Sequence, residues 1–349
     1  MNGVPRVPLA RRRLPWLVVL LPLLAAVAVP WLLKSGSHIP TVVVYCAHDS
    51  VFADGILRQF EQQTGIRVDV RYDEEANKSL GLTQMLLSEK QSPRCDVFWN
   101  NQTLGTIRLK NAGILQPAPQ KLLQRIPPEF RDPEGCWCGF AARLRVWIVN
   151  TQKMQCSPQA IAAALSRPDL SDAAIAVPLY GTTLTQYAEM CREQGLQALQ
   201  EWHQSLHSRG IREVRGNGAV RDLVAAGVCS FGLTDTDDFY AALAAGSPVD
   251  MLPFRLQDGT TVCIPNTVAM IRNCPHPETA AKLLEFLLSA SVEQQLAESP
   301  ARQIPLGPTD SSLLPPEVQR LLPWSADATN PAAAAQSDQQ VLNWLSQSR

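Results

Sequence analysis

The chain has 349 residues, a length that suits about two domains, and its 46% hydrophobic and 18% charged residues exclude an intrinsically disordered chain. Lys and Arg total 31 against 32 Asp and Glu. With Arg6, Arg11, Arg12, Arg13 and Lys34 set apart, 26 basic residues face 32 acidic ones, an excess of the wrong sign for nucleic-acid binding.

Arg11, Arg12 and Arg13 precede Leu14 to Leu33, an uncharged apolar run about as long as a bilayer-spanning helix requires. Arginines ahead of such a run predict a cytoplasmic N-terminus and an extracytoplasmic body. The run reads as a secretory signal cut after Ala26-Val27-Ala28 or as an uncleaved anchor, and its length favours one N-terminal apolar helix that stays. Nine cysteines are present; an oxidising compartment permits disulfides, but the odd count leaves at least one thiol unpaired, and buried free cysteine is the ordinary reading for most.

Thr41 to Ala47 is a β-branched apolar run, the pattern of a strand buried on both faces. A helix to Thr64 follows, capped by Asp49 or Ser50 and apolar at Ala53, Ile56, Leu57 and Phe60; Ile66 to Tyr72 then alternates as a half-exposed strand. Asn77 to Lys90 predicts a second helix, Cys95 to Trp99 a third strand, and Leu104 to Asn111 a third helix behind an Asn100-to-Thr103 cap. Successive βα units imply a parallel sheet with right-handed crossovers. The loops after strands one and three then share an edge, so His48 and Asn101 are expected to face one space.

Pro117 to Glu134 reads as irregular, and Trp137 to Ala142 and Leu144 to Asn150 as two strands with Arg143 and Arg145 between them. Pro158 to Leu165 and Leu184 to His207 are predicted helices, with a short buried strand at Ala174 to Val177 between them. Behind that strand Tyr180-Gly181-Thr182-Thr183 opens a helix, which suits an anion seat or, equally, a simple threonine N-cap. The stretch from Gly216 to Tyr240 predicts a turn at Asn217, a helix Ala219 to Ala226, a strand Val228 to Leu233 and a loop carrying Thr234, Asp235, Asp237 and Asp238. Open α/β sheets bind ligands past the carboxyl ends of their strands, and N-capping accounts for one of those three carboxylates but hardly for all. Strands at Thr261 to Ile264 and Val268 to Ile271, helices from His276 to Leu288 and Val292 to Ala297, a proline-rich stretch from Pro300 to Pro323 and a closing helix within Ala332 to Leu345 complete the chain.

No P-loop, GxSxG elbow or dinucleotide fingerprint is present, so no enzyme is expected and no cofactor is required. His203 and His207 stand i, i+4 on a helix, a spacing that suits a metal but lacks the glutamate of the metalloprotease motif, so a solvated helix face is the plainer reading. Polar loops contributed by two domains, which the chain enters, leaves and re-enters, describe a hinged binding protein.

Several segments carry a family resemblance: Val43-Val44-Tyr45 with His48, Phe60 to Val68, Asp96-Val97-Phe98-Trp99, Gly139 with Arg143 and Val146 to Asn150, Ile264-Pro265-Asn266, and Pro275-His276-Pro277-Glu278. In order from about Thr41 to Pro305, they resemble the type 2 periplasmic solute-binding proteins of ABC transporters, in the ferric ion-binding branch. The resemblance implies a two-lobe α/β fold, each lobe a mainly parallel sheet flanked by helices. Its segments would be 1–34 as signal or anchor, 35–142 with 265–349 as lobe one, and 143–264 as lobe two. It implies a monomeric extracytoplasmic protein, membrane-anchored or secreted, that delivers a small solute or metal ion to an inner-membrane ABC permease. The family's histidine ligand falls on or near His48, its glutamate ligand on Asn101 and its paired tyrosines on or near Asp237 and Asp238. Its anion loop matches Pro178 to Thr183, with Asn217 as the anion-contacting asparagine. The implied ligand is Fe(III) with a synergistic anion, held at His48, Asp237 and Asp238. Tyr45, Tyr180 and Tyr240 are the remaining phenol candidates, Tyr45 and Tyr240 reading more naturally as ordinary cleft-wall or core aromatics. The alternatives are a binding protein for a small organic or phosphorylated solute and a membrane-anchored sensory module.

Overall fold

The computed structural model describes residues 39–73, 80–329 and 331–347. Strand β1 (Thr41–Cys46) follows from its β-branched run, and helix α1 (Ser50–Thr64) buries the face formed by Ala53, Ile56, Leu57 and Phe60. The chain returns as β2 (Arg67–Tyr72), parallel to β1 from Thr41↔Arg67 to Cys46↔Tyr72. Helix α2 (Leu80–Ser88), strand β3 (Val97–Asn100) parallel to β1, and helix α3 (Thr103–Asn111) complete the predicted opening. The Gln102 side chain caps α3 by accepting from the Gly105 N–H. The proline-spaced stretch expected to be irregular holds the short helix α4 (Gln120–Leu123), just after strand β4 (Leu115–Gln116).

Two expected strands are one. Strand β5 (Cys138–Asn150) runs through Arg143 and Arg145 with every residue buried. It continues because both guanidiniums are matched by polar partners inside the fold, which a hydrophobicity pattern does not show. Next come α5 (Pro158–Leu165), β6 (Ala173–Ala176), α6 (Gly181–Gln194) and α7 (Leu196–Ser208). The last two replace one long predicted helix. Gly195 separates them at φ 85 and ψ 161, a conformation open in practice only to glycine.

Strand β7 (Arg212–Val214) and helix α8 (Asn217–Ala225) lead to β8 (Phe231–Asp235), which starts and ends later than predicted. Val228 and Cys229 still donate to the Leu223 carbonyl in the close of α8, and Ser230 turns to the Asp172 carbonyl, so pairing starts only afterwards. Helix α9 (Thr236–Ala244), an unpredicted strand β9 (Val249–Pro253) and β10 (Cys263–Ile271) follow. Strand β10 joins two predicted strands through a register shift between Pro265 and Asn266, an irregularity of the kind that admits proline within a sheet. Helices α10 (Pro277–Leu287), α11 (Ala290–Glu298), α12 (Pro316–Ser325) and α13 (Asp338–Gln347) end the chain, so the proline-rich stretch is less irregular than expected.

The sheet order is β2-β1-β3-β10-β5-β8-β6-β7, with β4 on β10 and β9 on β5. It is mixed rather than mainly parallel, because β10 is antiparallel to β3 and β5, and β5 is antiparallel to β8 and β9. Strand β5 pairs with β10 from Cys138 to Leu144 and with β8 and β9 from Arg145 onward, so it belongs to both halves of the sheet. One apolar cluster gathers buried residues from Val42 to Ala141 and from Val268 to Leu296. Two others gather the half beyond Ala142, and the tail goes with them: Ala297, Ile304 and Val318 in one, Ala334, Val341 and Leu345 in the other. The tail thus packs with the half from which the sequence reading separated it.

All nine cysteines are free thiols. Residues Thr41–Arg349 form a compact unit of their own. The expected signal or anchor at Leu14 to Leu33 lies outside the described residues, and among those described no helix is long and apolar enough to cross a membrane.

Candidate ligand-binding cleft

A cleft of about 400 Å³ opens at the carboxyl ends of the strands. Four helices begin on its rim: α1 at Ser50, α6 at Gly181, α8 at Asn217 and α9 at Thr236. Each brings unsatisfied backbone N–H groups and the positive end of a dipole, an arrangement that favours negative charge in the space between.

From the first half of the chain come His48, Asp49 and Asn101. His48 is buried and stacks on Trp99 at 5.5 Å between ring centroids, with Nε2 3.3 Å from Gln303 Nε2. The Asn101 carbonyl accepts from Arg143 Nη2 at 2.7 Å, while its side-chain Oδ1 has no hydrogen-bond partner among the described residues. From the second half come Tyr180, Gly181, Thr182, Thr183 and Asn217. Gly181 sits at φ 62, and a side chain added there would meet open space, so the turn rather than crowding calls for glycine. The helix starts at Gly181, which places both threonines inside its first turn rather than at the N-cap. Thr182 donates to Asp235 Oδ2 at 2.7 Å and accepts from Asn217 Nδ2 at 2.7 Å; Thr183 donates to Asn217 Oδ1 at 3.3 Å.

The three carboxylates divide by environment. Asp235 ends β8 and is committed inward, to Arg145 Nη1 at 2.7 Å, Thr182 at 2.7 Å, Asn217 at 3.0 Å and Arg143 Nε at 3.4 Å. Burial pushes its pKa up, but Arg145 and Arg143 outweigh that and hold it below the ordinary carboxylate range. Asp237 and Asp238, in the first turn of α9, are pushed the other way. Burial, reinforced by Asp238 and Asp235, lifts Asp237 to about 8 although Arg143 lies 3.5 Å away, because that guanidinium is shared with Asp235 and Asn101. Burial and the charge on Asp235 lift Asp238 to about 6, against a 2.7 Å bond from the Thr234 hydroxyl. One oxygen from each of Asp235, Asp237 and Asp238 lies within 4.8 Å of the others, close enough to hold a cation.

Most residues singled out from the sequence therefore line one space. Thr234 is the exception: fully buried, it forms no part of the lining and acts behind it as the donor to Asp238. His48 lines the cleft but does not join the carboxylate group. Tyr45 and Tyr240 are turned elsewhere, to Glu89 and to the Glu317 carbonyl, whereas Tyr180 lines the cleft. Arg143, Arg221, Tyr72 and Asp73 line it as well, although no site role was expected of them from the sequence. Arg143 carried a usable signal, since a charge within an otherwise apolar strand must be paired or put to use. Its Nη1 is buried with no hydrogen-bond partner among the described residues.

Residues 55–332 match the model of the family described as bacterial extracellular solute-binding protein. The chain belongs to that family. This solute-binding protein is therefore an extracytoplasmic binding component and not an enzyme. It is 25% identical over 255 residues to iron uptake protein A1 of Synechocystis sp., covering 69% of each chain. Its fold is similar to that of iron-bound HitA from Pseudomonas aeruginosa, with TM-score 0.74 and 21% identity over 87% of this chain and 98% of the other. The periplasmic binding protein AfuA from Actinobacillus pleuropneumoniae, solved with fructose-6-phosphate bound, is similar at TM-score 0.72 and 16% identity, over 87% of this chain and 97% of that one.

Proposed function

We propose that the cleft captures Fe(III) together with a small synergistic anion and presents them to an ABC permease of the inner membrane. The observation that carries this reading is the group of Asp235, Asp237 and Asp238 oxygens within 4.8 Å of one another, on the wall of a solvent-reachable cleft. Carboxylates are hard donors suited to a hard cation, and a cation would offset the burial and mutual repulsion that push the pKa values of Asp237 and Asp238 up. Asp237 and Asp238 supply the donors on this reading, with His48 and the Tyr180 phenol reaching the cargo as the cleft closes. The anion would sit on the N-termini of α6 and α8, against Thr183, Asn217 and the unpaired Nη1 of Arg143. The relative named as an iron uptake protein supports the same assignment.

Capture would use two lobes, 41–142 with 265–296 and 143–264 with the tail, hinged where β5 and β10 cross between the sheet halves. Two backbone irregularities lie at that crossing, the φ of 41 at Ala141 and the register shift at Pro265/Asn266, and Asn266 Nδ2 donates to the Ala141 carbonyl at 2.6 Å. The protein would work as a monomer, tethered through Leu14 to Leu33 or released.

A second reading, a phosphorylated organic solute, is favoured by the four helix N-termini with Arg143 and Arg221 in the lining. Thermal denaturation of the protein with ferric citrate, inorganic phosphate or fructose-6-phosphate separates the two. A ligand at 100 times its Kd adds about 2.7 kcal/mol. Stabilisation by ferric citrate that is lost in Asp237→Ala/Asp238→Ala supports iron, and a response to the phosphate ester alone overturns it.

A further inference from the structure

We infer that α7 and β7 together carry a second cation site, for a divalent metal of the zinc, nickel or copper class, formed by His203, His207 and Glu213. Two of these residues attracted notice in the sequence as an i, i+4 pair without a third ligand. The fold supplies the third: β7, which pairs with β6 at the edge of the sheet, brings Glu213 beside the helix. One ligand atom from each of the three lies within 4.8 Å of the others. The His207 Nε2 is 3.2 Å from the Glu213 carboxylate, and the two imidazoles lie 4.1 Å apart between centroids. Oxygens at about 2.0–2.2 Å and nitrogens at about 2.0–2.1 Å from a tetrahedral zinc stand at separations that small side-chain rotations would reach from here.

The surroundings are those of a supported ligand. The Tyr187 hydroxyl meets His203 Nδ1 at 2.9 Å, and the Trp344 ring abuts the imidazole edge-on at 5.2 Å. A hydrogen-bond partner on the imidazole fixes the orientation of the ring, the role such groups play around histidine ligands. The side chains of His207 and Glu213 are 33% and 20% exposed, while the His207 Nε2 is itself buried and makes no hydrogen bond among the described residues, so a rotation of the ring is what opens it to an ion. Two imidazoles and one carboxylate match a borderline divalent ion, whereas Fe(III) prefers the all-oxygen group in the cleft. None of the three residues lines the cleft, so the inference does not depend on the cargo assigned there.

The test uses the full chain without a histidine tag, in an Asp237→Asn/Asp238→Asn background that disables the cleft carboxylates. Equilibrium dialysis against Zn²⁺ is expected to show one saturable equivalent, with Co²⁺ giving the visible absorption of a tetrahedral site. His207→Gln should weaken that binding at least tenfold. Glu213→Gln, which keeps the side-chain shape, should weaken it also, and circular dichroism confirms that each variant folds. Absence of a saturable equivalent in the background protein, or binding unmoved by both substitutions, overturns the site and leaves His207 and Glu213 as a plain surface ion pair.

Discussion

Asp237→Asn should make the empty protein more stable at neutral pH while removing a ligand from the cleft. The Asp237 side chain is 15% exposed, and its pKa stands at about 8 against an ordinary value of 3.8, through burial first and then through Asp238 and Asp235, with Arg143 opposing. Between those two pH values the folded protein retains a proton that the unfolded chain has released. Stability contributed by this group is therefore full below the unfolded value and lost as pH rises, at up to about 1.4 kcal/mol per pH unit. Asparagine keeps the shape without the charge, so at pH 7 the variant should exceed the wild type by on the order of 2–4 kcal/mol, with the gap closing towards pH 4. Urea denaturation at pH 5, 6, 7 and 8 in metal-free buffer measures it, and ferric citrate should stabilise the variant less than the wild type. Parallel pH profiles for the two proteins, or a variant less stable at pH 8, would refute the reasoning. A gain in stability with a loss of binding is what a site held in electrostatic conflict predicts.

Arg145 is fully buried and binds Gln186 at 2.8 Å, Asn217 at 3.0 Å and Asp235 at 2.7 Å, so Arg145→Met strands a buried carboxylate and should cost about 3–5 kcal/mol in denaturant melts, part of it recovered by adding Asp235→Asn. Gly232→Ala would place a Cβ 2.5 Å from Val220 Cγ1 and 2.8 Å from the Ala174 carbonyl oxygen; the backbone atom cannot yield cheaply, and a loss of about 1–3 kcal/mol is expected by the same assay. Burial raises the thiol pKa of Cys46 and Cys95 well above normal and that of Cys156 to about 11, but Cys156 is only half-buried whereas the other eight are buried. Thiol titration of the native protein at pH 8 should therefore label Cys156 first, and all nine only after denaturation.

Local pattern was enough for the βα opening, because the β-branched run of β1, the buried face of α1 and the glycine after it are properties of short windows. Parallel strands deliver their following loops to one edge, so His48 and Asn101, after β1 and β3, were legible as neighbours, but β6 and β8 run opposite to that pair through β10 and β5, and only the tertiary structure sets Gly181 and Asp237 across the same cleft. Periodicity could not show that β5 passes unbroken through two arginines. The partner that neutralises Arg145 lies 90 residues away at Asp235, and a buried charge is tolerable only once that pairing exists. For the same reason the sequence showed three equivalent-looking aspartates, and only tertiary structure separated the one spent on arginines from the two whose pKa values burial and neighbouring carboxylates raise. Spacing in the chain decided which residues stand at the ends of strands; distance in space decided which charges are compensated, and that compensation determines what the cleft can bind.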